Sequence, residues 1–137
     1  MKTTHINNMS KICTDLEQSR KLVELGLDTT TADMHTELID VNGDMVSQLI
    51  AGHGDENKRN FGTLHWSLSA LLELMPKIRV AAPIIVKALL EEKYYCHYQG
   101  IGTFKEVYTT TFHEEPIDAA FEMVVWLLEN GYIKPIK

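Results

Sequence analysis

FKEVYTTTFHEEPIDAAFEMVVWLLENGY, Phe104–Tyr132, changes character at its midpoint. Its first nine residues, to Phe112, are rich in aromatic and β-branched types, which suit a pleated, half-buried strand. From Pro116 the spacing becomes helical. Proline at the first helical position loses an N–H that would have no partner there anyway. Glu115 then falls at the N-cap and Asp118 at the third position, two acids near the positive end of the helix dipole. Gly131 fits the left-handed residue that closes a helix, with Tyr132 packing back on Leu127. A strand followed directly by an amphipathic helix points to an α+β chain.

At 100° per residue, Ile117, Ala120, Phe121, Met123, Val124, Leu127 and Leu128 make a broad apolar arc. Asp118, Glu122 and Glu129 make a narrow polar wedge. Val125 falls inside that wedge and Trp126 at its edge. Such a break predicts either cover by a loop or contact with a partner, and Trp is enriched at binding hot spots.

The upstream segments extend the pattern. In CTDLEQSRKLVELGLD, Thr14 and Glu17 have the spacing of a capping box, and Gly26 repeats the stop signal of Gly131. A helix is predicted over 15–25. WSLSALLELMP predicts another over 67–75, capped by Ser67 and stopped by Pro76. A short strand is predicted near 36–41, with an Asn42-Gly43 turn after it and a helical turn in DMVSQLI. Residues 52–63 read as a polar loop, and residues 1–12 as a flexible N-terminus. APIIVKALL fits a strand over 84–90, although Pro83 would also suit the start of a helix. YYCHY predicts a strand over 94–99, with Tyr94, Cys96 and Tyr98 on one face and Tyr95 and His97 on the other. With 104–112 it forms a hairpin through Gly100 and Gly102. The expected fold is one α+β domain over 13–137. Its antiparallel sheet of two to four strands packs on about three helices.

The 137 residues can bury roughly two-thirds of their unfolded surface, enough for folding without metal or disulfide. A net charge of −6 argues against duplex nucleic-acid binding, which needs a basic stripe. Cys13 and Cys96 have no paired spacing and read as reduced thiols. No stretch approaches a membrane span, and MKTTHINNMSK lacks a signal-peptide core. A cytoplasmic protein with no cofactor is expected.

The candidate chemistry is sparse. His113-Glu114-Glu115 invites a metal or acid–base reading, but adjacent side chains diverge, and the plainer reading is an acidic helix start. His97 and His113 would meet only if their strands pair suitably, with Glu115 as a third ligand. Asp40-Val-Asn42-Gly-Asp44 resembles the front of a calcium loop, but Met45 and Ala51 occupy the positions that need Gly and Glu. Gly52-His53-Gly54 lacks the GK[ST] of a phosphate loop. Cys96 and His97 point to opposite faces of a strand. His5, His35, His53 and His65 read as surface or internally satisfied histidines.

LEQSRKLVELGLDTTTADM, WSLSALLELMPK, YYCHYQ and EEPIDAAFEMVVWLLENGYI, in that order, resemble a family of small gut-bacterial proteins often found among phage or other mobile-element genes. The resemblance implies no activity and no site residue. It implies an accessory or host-interaction role.

The leading expectation is therefore a non-enzymatic interaction module that binds a protein partner or self-associates as a homodimer. Val125, Trp126, Tyr95 and Tyr108 are its candidate contact residues. The alternative is a small metal-dependent hydrolase using His97, His113 and Glu115.

Overall fold

The computed structural model describes residues 11–78, 81–88, 90–99 and 108–136. The chain is α+β. Helix α1 (Leu16–Glu24) leads through a 3-10 turn at Thr29–Thr31 into strands β1 (Met34–Val41), β2 (Asp44–Ala51) and β3 (Phe61–His65). Helix α2 (Leu68–Leu74), strands β4 (Ala82–Ala88) and β5 (Lys93–Gln99), and helix α3 (Pro116–Glu129) follow. The strands divide between two antiparallel sheets, ordered β2-β1-β3 and β4-β5.

Helix α3 is the centre of the core. Ile117, Ala120, Met123, Val124, Leu127 and Leu128 are buried, as its apolar arc requires, and Ala119 joins them. The helix packs on β5, α2 and β4. Trp66, Leu71, Leu22, Leu27, Cys96 and Tyr98 complete the interior. Cys96 and Tyr98 lie on the inner face of β5, so alternation sends Tyr95 and His97 outward.

Both long helices end as their glycines demand. Leu27 N–H reaches Leu22 C=O at 3.0 Å and Gly26 N–H reaches Val23 C=O at 3.0 Å. Tyr132 N–H reaches Leu127 C=O at 2.9 Å and Gly131 N–H reaches Leu128 C=O at 3.3 Å. These are the paired bonds of a Schellman ending. The Tyr132 ring stacks on Trp126.

Three local expectations need correction. The cap of α1 is Asp15 with Gln18, one residue beyond Thr14 and Glu17. Thr14 is fully buried and its hydroxyl is engaged by Ser19 and the Trp66 N–H, so Asp15 takes the cap. DMVSQLI is strand, not helical turn. Asn42 and Gly43 both have positive φ, the two-residue turn whose twist returns the chain antiparallel onto β1. The polar loop ends at Asn60, because Phe61–His65 pairs with β1 as β3. Of residues 1–12, expected to be flexible, 1–10 lie outside the described residues; the Lys11 N–H donates to Glu115 at 3.1 Å and its ammonium to Asp118 at 2.7 Å and Asp15 at 3.1 Å.

The strand expected at 84–90 is found at Ala82–Ala88. Gly100, Gly102 and residues 104–107 of the last expected strand lie outside the described residues, as does His5. From Tyr108 the chain runs antiparallel to β5, bridging His97 to Thr109 and Tyr94 to His113. Among the described residues no helix is long and apolar enough to cross a membrane.

Candidate interaction surfaces

The acidic wedge of α3 lies against the segment that precedes the helix. Glu122 accepts hydrogen bonds from His113 Nε2 at 2.7 Å, the Tyr108 hydroxyl at 2.8 Å and the Thr111 hydroxyl at 2.8 Å. The Thr111 N–H adds a fourth donor at 3.1 Å. Burial opposes ionisation of Glu122, but the bonds from His113, Tyr108 and Thr111 outweigh it and hold the carboxyl below its ordinary range. Burial, followed by the Glu122 carboxylate, pushes the Tyr108 phenol up to about 12. Glu122 thus fastens residues 108–113 to the helix. Its neighbours in the wedge gave no sequence sign of this, because all of its donors come from another segment.

The sequence candidates separate. Tyr94 and His113 pair across the strands, as do His97 and Thr109. Tyr94 shares the inner face with Cys96, so His113 turns inward to Glu122 while His97 faces outward. Glu115 turns to the Lys11 N–H. His97, His113 and Glu115 are not brought together, and among the described residues no group of three His, Cys, Asp or Glu is placed to hold a metal ion.

Trp126 is half-buried between two rings. Tyr108 lies 4.6 Å away at 8° and Tyr132 lies 5.4 Å away at 17°. The amphipathic break at Trp126 is thus largely answered within the chain. Val125 is half-buried and, with Phe121, lines a groove of about 790 Å³ between α1 and α3. Lys11, Arg20, Lys21, Asp118 and Glu122 rim this groove. Tyr95 lies on the outer face of β5, edge-on to His97 and to Phe112.

Two buried histidines carry their own networks. His65, 6% exposed, donates from Nδ1 to the Thr14 carbonyl at 2.7 Å, and its Nε2 lies 2.7 Å from the Thr63 hydroxyl. Ser19 Oγ sits 3.1 Å from the same Nδ1. A carbonyl can only accept, so Nδ1 carries a proton and cannot take one from Ser19. This serine–histidine contact is a packed network and not a nucleophile with its base. His35, 3% exposed, points both ring nitrogens at acceptors, the Gly52 carbonyl and the Glu37 carboxylate, each at 2.8 Å. The ring stacks on Phe61 with centroids 5.7 Å apart.

The surface the sequence reading missed is the β1–β2 hairpin. Eight consecutive pairs, Met34 with Ala51 through Val41 with Asp44, join the strands without a bulge. Beyond Leu38, whose N–H donates to the Asn60 carbonyl at 2.8 Å, β3 no longer pairs with β1 and the hairpin continues as a two-stranded arm. Leu38, Val41, Met45, Val46 and Leu49 are exposed, Met45 to 60%. Their signal was present but misassigned: residues 45, 46, 49 and 50 also have helical spacing. Comparison with family models, curated proteins and solved structures gives no match.

Proposed function

We propose that the protein works by holding another polypeptide against its β1–β2 arm. The supporting observation is the arm itself. Five large apolar side chains stand in solvent along the hairpin, and its outer strand carries no charge from Met45 to Ala51. Monomeric proteins usually blunt such edges with lysine, proline, a bulge or a covering element. An open strand edge offers backbone N–H and C=O groups to an extended segment, and the alternating side chains give it specificity. An accessory role of phage or mobile-element origin, exercised in the cytoplasm through contact with a protein, fits this reading. The separation of His97 from His113 weighs against the metal-dependent hydrolase.

A photo-reactive residue at Ser47, on the exposed strand, tests the proposal in bacterial cells producing the protein. Polypeptide adducts are expected, and they should disappear when Met45 and Leu49 are both changed to Lys. Adducts that survive the double substitution, or no adducts at all, would overturn it.

A further inference from the structure

The two ends of the three-stranded sheet are treated differently. At the β3 end, Cys13 bridges to Ser67 and Thr14 N–H donates to the Trp66 carbonyl at 2.8 Å, just past the strand, while α1 packs against β3. At the other end, among the described residues, β2 is terminal, and every residue of it except half-buried Ile50 is exposed. We infer that the polypeptide held at this edge is a second copy of the chain, paired antiparallel, β2 to β2, so that two three-stranded sheets become one of six. The inference rests on the arm being the binding surface.

Net charge opposes association of two copies, and the symmetry of an uncharged edge is what favours it here. The chain carries a net charge of −6, so two copies repel over most orientations. The uncharged run Met45–Ala51 is the stretch of edge where that repulsion is least. Its midpoint is Gln48. A two-fold axis there sets Val46 against the copy's Ile50 and Met45 against its Ala51. Asp44 stays outside the paired run, and the two Asp44 carboxylates end up about 27 Å apart, eight residues of strand. Side chains opposite one another in an antiparallel pair share a face, and apolar pairs of this kind stabilise the sheet. The face that bears Val46 also bears Ile39 and Val41, and the opposite face bears Leu38 and Leu49. Pairing therefore extends an apolar strip on both faces across the joint.

The axis makes Gln48 its own neighbour, which gives a direct test by sedimentation of the full chain over a wide concentration range. The wild-type chain should have twice the monomer mass. Gln48→Lys and Gln48→Glu each place like charges opposite one another, and each should raise the dissociation constant at least tenfold with an unchanged circular dichroism spectrum. An equimolar mixture of the two variants should regain the dimer. A wild-type chain that stays monomeric, or variants that dimerise as the wild type does, would overturn the inference. So would a mixture that fails to recover. Ser47 adducts to a different protein would also overturn it while leaving the arm as the binding surface, whereas loss of all adducts removes both.

Discussion

Trp126 lies parallel to Tyr108, the ring centroids 4.6 Å apart and the planes 8° from coplanar. The indole that breaks the polar face of α3 is thereby used to hold the segment before the helix, with Tyr132 on its far side. Trp126→Ala should lower unfolding free energy by about 3 kcal/mol, the low end of large-to-small losses, because the ring is only half-buried. Chemical denaturation measures this, and an unchanged midpoint would show that the stack contributes nothing.

Glu122 should behave as the staple of the same junction. Glu122→Gln leaves the donors from His113, Tyr108 and Thr111 facing a neutral amide, with an expected loss of about 1–3 kcal/mol near neutral pH. Its folded pKa lies below the ordinary carboxyl value. Its contribution is therefore present above that ordinary value and lost as pH falls through the folded one. Acid titration of stability should show a shallower acid limb in the Gln variant.

His35 has the opposite sign. The bond to the Gly52 carbonyl, then that to Glu37, raises its pKa against the effect of burial and of Lys58. The stabilisation is full below the ordinary histidine value of about 6.5 and is lost as pH rises through the raised folded value. His35→Gln should cost about 1–3 kcal/mol on the acidic side of that window and less on the basic side. Denaturation midpoints across neutral pH decide it, and a pH-independent difference would contradict the assignment.

Gly54 covers the same ring. Its φ is +80°, and an added Cβ would come within 2.7 Å of three ring atoms of His35. Gly43, in the hairpin turn, also has positive φ, but a Cβ there would meet nothing within 4 Å. Gly43→Ala should therefore cost about 1–2 kcal/mol from the backbone alone. Gly54→Ala should cost more, and its thermal midpoint should fall further. Equal losses would mean that the loop yields without disturbing His35.

The helices, the start of α3 and the two glycine stops were legible because their determinants are local. Pro116 fixes the start of α3, and Gly26 and Gly131 supply the left-handed residues that close α1 and α3. The two faces of β5 follow from alternation alone, with Cys96 and Tyr98 in and His97 out. Where two periodicities fitted the same residues, as in DMVSQLI, local sequence could not arbitrate. The turn at Asn42-Gly43 and eight pairs with β1 settled it as strand.

A few neighbouring residues suffice for the α+β class, the proline start of α3, the glycine stops of the long helices and the apolar face of α3. Long-range packing set which polar groups meet. Thr14 leaves its cap for a buried network, Glu122 collects donors from 108–113, and His97 and His113 fall on opposite faces. It also decided which apolar residues remain outside. Burial and pairing depend on residues far apart in the chain, and no local pattern distinguishes a strand that will be covered from one, like β2, left open at the end of a sheet.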